Sequence, residues 1–172
     1  MAHEQVHPAP RAGSAGVRST TDWRASVWAG LIAGLVFMML EMVMVWLFMG
    51  QSPWGPPRMM AAMVMGPEVL PPPATFAMMP MMVAMMIHFP LSVVYGLVIG
   101  WMVHRMDMGM AVLAGAAFGL IAVYFVNFYL IAPAMFPWFV EARNWIGAFA
   151  HLMFGAVAAA AYIRLRKPRS RV

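Results

Sequence analysis

The stretch Ala25–Met49, ASVWAGLIAGLVFMMLEMVMVWLFM, decides the fold. Its one charged residue is Glu41. At about 1.5 Å per residue, a helix of this length crosses a hydrocarbon core of roughly 30 Å. The pattern recurs, and the sequence predicts four spans over about 25–49, 77–103, 109–133 and 144–163. The fold class that follows is an all-α integral membrane protein. Composition agrees: the chain is 63% hydrophobic and only 10% charged, where soluble domains carry about 25% charged residues. With no cysteine in 172 residues, disulfides, iron–sulfur clusters and thiolate chemistry are excluded.

The flanks are polar. Residues 1–24, with Pro8, Pro10, Gly13 and Gly16, read as a disordered cytoplasmic tail. The apolar run after Arg24 is too long for a signal-peptide core. Residues 164–172 form a basic tail, Arg164, Arg166, Lys167, Arg169 and Arg171, suited to anionic lipid head groups. No basic domain stands behind it, so nucleic acid is not an expected partner. Four spans put both tails on one side, and their arginines place that side in the cytoplasm. Between the first two spans, Gly50–Pro57 reads as a turn and Arg58–Met65 as a short interfacial or re-entrant helix. Pro90 should kink the second span. Ala134–Glu141 reads as an aromatic interfacial loop.

The two halves resemble each other. Ala29-Gly30 with Gly34-Leu35 parallels Ala114-Gly115 with Gly119-Leu120. Pro53-Trp54 then Arg58 parallels Pro137-Trp138 then Arg143, and Tyr95-Gly96 parallels Phe154-Gly155. The matches keep the same order, so the fold is expected to be two hairpins in a weak parallel repeat. Gly30, Gly34, Gly96, Gly115, Gly119 and Gly155 are its expected helix-packing positions.

Polar residues inside the spans mark the candidate site. Counted from span centres, Glu41 lies ~6 Å, His88 ~3 Å, Asn127 ~9 Å and His151 ~3 Å toward the side away from the tails. A charge at that depth costs several kcal/mol, so Glu41 should face the interior and be paired or protonated. It reads either as a proton or cation site or as a structural group hydrogen-bonded to His88, His151 or Asn127. Asn127 itself reads as interhelical glue. Arg58, Glu141 and Arg143 are expected at an outer vestibule or as interfacial anchors.

Two imidazoles at similar depth raise a haem reading. The 22 methionines, with Met78, Met81, Met85 and His88 on one face, raise a copper reading. Methionine is so widespread here that a flexible apolar filler is the simpler account, and no metal or cofactor is expected. No HExxH, phosphate-binding glycine loop or GxSxG occurs, and an enzyme is not expected.

Four stretches carry a resemblance: Ser52-Pro-Trp-Gly-Pro-Pro-Arg58, Leu70-Pro-Pro-Pro-Ala-Thr-Phe76, Phe136-Pro-Trp-Phe-Val-Glu-Ala-Arg-Asn-Trp145 and Ala150-His-Leu-Met-Phe-Gly155. Over about 24–165 the chain resembles a group of small bacterial inner-membrane proteins of unknown function, some labelled sodium:proline symporter-like. Symporters of that class have more than ten spans, against four here. The resemblance implies a bacterial inner membrane with N-in and C-in topology. The leading expectation is a small transporter or channel-like protein with Glu41, His88, Asn127 and His151 lining its site, working as a homo-oligomer because four helices enclose little room. The alternatives are an accessory subunit of a larger membrane complex and, third, a haem or copper redox protein.

Overall fold

The computed structural model describes residues 20–72 and 74–167. The expected disordered tail over 1–19 and the end of the basic tail, 168–172, lie outside the described residues. Helices α1 (Trp23–Met49), α3 (Met78–Val103), α4 (Met108–Met135) and α5 (Trp145–Leu165) are each long and apolar enough to cross a membrane. A shorter helix, α2 (Gly55–Met65), lies between α1 and α3. No strand occurs among the described residues. The fold is an all-α, four-span membrane bundle.

Three spans begin on a capping side chain. Asp22 accepts from the Ala25 N–H at 3.1 Å, Asp107 from Met110 at 3.0 Å and Asn144 from Gly147 at 2.9 Å. Each satisfies an amide that the first helical turn leaves without a partner. At the other end of α1, Gly50 stops the helix in a left-handed conformation, φ 62°. The prolines after it do not make the whole of Gly50–Pro57 a turn. Pro56 and Pro57 occupy the first turn of α2, where a missing N–H costs nothing. Helix α3 continues through Pro90.

Helix α1 packs on α3 and on α5, and α5 packs on α4, so α1 and α5 form the centre of the bundle. The two hairpins, α1–α3 and α4–α5, close through the same kind of contact. A Cβ on Gly96 would meet the Gly30 Cα at 2.6 Å, and one on Gly155 would meet the Gly115 carbonyl carbon at 2.7 Å. One turn along, Gly34 faces the Ser92 side chain and Gly119 faces the His151 backbone. Glycine lets backbones approach in this way, and van der Waals packing is what holds helices together in lipid. This half of the bundle is solid: Ala29, Ala33, Ile99, Val103, Ala158 and Ala159 are fully buried.

The start of α1 and the end of α5 lie at one end of the bundle. Tyr162 Oη accepts from the Asp22 N–H at 3.2 Å, and the Lys167 N–H donates to Asp22 Oδ2 at 3.3 Å. Arg166 is a fastener here, and not part of a free basic tail. It donates to the His104 carbonyl at 2.6 Å and the Met106 carbonyl at 3.0 Å, completing the C-terminus of α3. Arg164 lies within α5. Exposed indoles flank both ends, Trp28 and Trp101 at the terminal end and Trp46 and Trp145 at the loop end, as in the aromatic belts of membrane proteins.

Candidate functional site

Helices α3 and α4 scarcely touch. They meet where the Tyr95 and Phe118 rings lie 6.4 Å apart. Beyond that point, toward the loops, a cavity of about 680 Å³ separates them. Four helices were expected to enclose little room; the splaying of α3 from α4 overturns this within a single chain. Glu41, His88, Asn127 and His151 all line the cavity, so side chains from four different spans converge on one space.

Most of the rest of the wall is apolar, with Gln51, Ser52, Ser92, Glu141 and Asn144 as its further polar members. Phe37 and Val45 come from α1, Leu91 and Tyr95 from α3, Val123 and Ile131 from α4, and Phe154 from α5. Aromatic rings make the floor: Phe37 and Phe154 meet edge to face at 6.2 Å, and Phe154 meets Tyr95 at 6.4 Å. Below the floor lies the solid glycine- and alanine-packed half. Met59, Met60 and Met63 of α2 cover the opposite side. The Trp138 indole N–H donates to the Met59 carbonyl at 3.1 Å, joining α2 to the loop between α4 and α5.

Glu41 has no hydrogen-bond or ion-pair partner among the described residues. The reading of Glu41 as a packing group bonded to His88, His151 or Asn127 therefore finds no contact to support it. Asn127 likewise has no side-chain hydrogen bond, and it faces the cavity instead of gluing helices. The imidazoles are tied to backbone. His88 Nε2–H donates to the Gly34 carbonyl at 2.9 Å, and His151 Nδ1–H donates to the Gly147 carbonyl at 2.7 Å. Ser92 Oγ–H donates to the His88 carbonyl at 2.8 Å, supporting the same turn.

Phe37 touches both imidazoles, stacked on His88 at 5.6 Å and edge-on to His151 at 4.7 Å. Among the described residues, no three or more His, Asp or Glu side chains are grouped to hold a metal ion.

The vestibule residues divide. Glu141 lines the cavity mouth. Arg58 instead donates to the Thr75 carbonyl at 2.9 Å and the Val69 carbonyl at 3.1 Å, holding the α2–α3 connection. Arg143 repairs a defect in α4. Over Gly119–Ile131 this helix widens to i→i+5 bonding, and the Ala132 N–H pairs with the Asn127 carbonyl. The next carbonyl, of Phe128, faces Pro133, which has no N–H. Arg143 Nε–H donates to it at 2.8 Å, with the guanidinium 4.6 Å from the Tyr129 ring centre.

Widening also matches the two halves. Asn127 is eight residues past Gly119, whereas Glu41 is seven past Gly34. An i→i+5 segment absorbs one extra residue, which lets Asn127 face the cavity as Glu41 does. Phe37, Tyr95 and Phe154 were missed in the sequence. The available signal was spacing, since Phe37 is one turn before Glu41 on the same helix face. No family model, curated protein or solved structure matches this chain.

Proposed function

We propose that this multi-pass membrane protein is a small transporter whose substrate binds in the cavity, with Glu41 as the charged group that holds it. The observation that carries the reading is the Glu41 carboxylate, without a protein partner, at the wall of a 680 Å³ space. Small-molecule sites span roughly 300–1,000 Å³ and combine apolar walls with a few polar groups. An ionisable residue inside a membrane span is expensive, and an incoming counter-charge offsets that expense. Transport by alternating access requires the aromatic floor to open in a second conformation. A continuous proton or ion pore is less well supported, because packed side chains lie beneath the floor. The resemblance supports a bacterial inner membrane, and the positive-inside rule supports an orientation with both termini inside.

The closed floor favours one second reading: a binding or accessory subunit that presents a ligand to a larger membrane complex. The experiment is to record charge movement from proteoliposomes on a solid-supported membrane during challenge with a panel of small organic solutes. Transport predicts transient currents for some solutes, lost in a folded Glu41→Gln protein. Absence of current across the panel, with one abundant partner co-purifying after mild solubilisation, would replace transport by the accessory reading.

A further inference from the structure

Resting on the cavity as the functional site, we propose that its ligand is a hydrophobic organic cation, an amine or quaternary ammonium with bulky apolar substituents, bound with its charge beside Glu41. Four observations converge on this class. The sign of charge is set first: Glu41 and Glu141 line the cavity and, among the described residues, no lysine or arginine does, since Arg58 and Arg143 are turned to backbone carbonyls. An anion would therefore meet only like charge.

The donor set then disfavours a hard metal cation such as calcium or magnesium, and among the described residues no three His, Asp or Glu side chains are grouped to hold any metal ion. Calcium requires six to eight oxygen ligands, and magnesium a tight octahedron. Around Glu41 the cavity offers Asn127, two imidazoles whose one N–H each is committed to a carbonyl, and otherwise mostly apolar side chains.

Size and surface set the remainder. A space of about 680 Å³ is far larger than an ammonium head, so most of the guest must be apolar. Phe37, Tyr95, Phe128 and Phe154 supply ring faces, which attract organic cations when desolvated. Methionines of α2 form the cover, and flexible thioethers re-pack around guests of differing shape.

The route in comes from the gap between α3 and α4. Leu91, Ile131 and Met135 line the cavity and are 41%, 52% and 67% exposed on the bundle surface. The cavity wall is thus continuous with the face turned to lipid acyl chains, and a guest soluble in the bilayer reaches Glu41 sideways. Simple water-soluble cations lack that route.

Tetraphenylphosphonium and tetraphenylborate test the proposal, being alike in size and shape and opposite in charge. The full chain in detergent micelles is titrated with each by calorimetry, beside the neutral triphenylphosphine oxide. The expected result is saturable binding of tetraphenylphosphonium at one site per chain, at least ~10-fold tighter than tetraphenylborate. Glu41→Gln, with unchanged helical circular dichroism, should weaken the phosphonium at least ~10-fold and leave the neutral probe unchanged. Equal affinity for the two ions, or phosphonium binding indifferent to Glu41→Gln, overturns the cation class. Binding of the neutral probe alone overturns the class but keeps the cavity as a site. Failure of all three probes to bind overturns both. The comparison of the two ions on the unaltered protein decides the matter if the variant does not fold.

Discussion

Gly155→Ala should unlatch the second hairpin. A methyl group there would lie 2.7 Å from the Gly115 carbonyl carbon and 3.0 Å from the Gly119 nitrogen, closer still to the Gly115 oxygen. All three are backbone atoms of α4, so no side chain can swing aside. Ordinary contact begins at 3.4 Å; restoring it for the carbonyl carbon alone moves α4 away from α5 by about 0.7 Å, and the nearer oxygen requires more. That displacement also loosens the Gly119–His151 contact one turn along. Overpacking typically costs about 1–3 kcal/mol, and a backbone collision belongs at the upper end. Alanine recovers up to about 1 kcal/mol in helix propensity, which leaves a net loss of about 2 kcal/mol. The control is Gly55→Ala, since a methyl on Gly55 has nothing within 4 Å. Unfolding in dodecylmaltoside with rising mole fraction of sodium dodecyl sulfate, followed by tryptophan fluorescence and far-ultraviolet circular dichroism, measures both. Gly155→Ala should unfold at a clearly lower mole fraction while Gly55→Ala stays at the parental midpoint. Coincident midpoints for the two variants would refute the claim that glycine contacts hold the hairpin.

Arg143→Gln should leave the Phe128 carbonyl without its donor, at about 1–3 kcal/mol, with faster amide hydrogen exchange around Ala132–Met135; exchange unchanged from the parent would show that Arg143 does not support the widened helix. The Ala25 N–H, aided by Lys167, holds the Asp22 carboxyl below its ordinary value despite slight opposing burial. A carboxylate whose folded value is depressed contributes stability that is complete above its unfolded value and is lost as pH falls through the folded one. Stability of the parent protein should therefore decline modestly below the usual carboxylate range, and Asp22→Asn, which retains a capping oxygen, should flatten that decline; identical pH profiles would contradict it. Since the chain has no cysteine, Asn127→Cys gives a clean probe. A small membrane-impermeant thiosulfonate should label it from the loop side only, and Ala158→Cys, in the solid half, from neither side; labelling of both would mean that the floor is open.

The architecture was legible because lipid imposes a blunt rule on sequence. Any segment crossing about 30 Å of hydrocarbon must satisfy its own backbone and present apolar side chains, so Ala25–Met49 announces itself. The glycine spacings were legible for a related reason, as a missing side chain at Gly30 or Gly115 matters only where another helix comes close. Convergence of Glu41, His88, Asn127 and His151 followed from depth counting, since similar depths in a narrow bundle leave few places to go. What those groups bond to was not legible. Whether Arg143 faces a cavity or a carbonyl depends on where Pro133 falls in a locally widened helix, and hydropathy carries no trace of that widening. The floor was hidden for the opposite reason: Phe37 and Phe154 look like any other apolar residues in a span. The capping role of Asp22 and Asp107 had a sequence signal, an acidic residue just before an apolar run.

The cavity is best understood as a departure from the likeness of the two hairpins. Each begins on an aspartate cap and each closes through a pair of facing glycines. A two-fold arrangement about the bundle axis would make the α3–α4 contact equivalent to the α1–α5 contact, and four mutually packed spans would leave no room for a guest. In this protein α1 and α5 pack along their length, whereas α3 and α4 separate beyond Tyr95 and Phe118. The widened segment of α4 lies along that separation, and Arg143 and Tyr129 stabilise its exposed carbonyl. The two polar positions have diverged as well, to a carboxylate on α1 and an amide on α4. One carboxylate within the spans, with Glu141 at the cavity mouth, suits a monovalent partner, whereas a symmetric pair of carboxylates at the depth of Glu41 would repel each other or demand a divalent one. Asn127→Glu tests this directly: a second carboxylate beside Glu41 should raise the affinity for a doubly charged cation relative to a singly charged one, while leaving the glycine-packed half intact. Unchanged binding with both carboxylates present would mean that Asn127 does not share the space with Glu41.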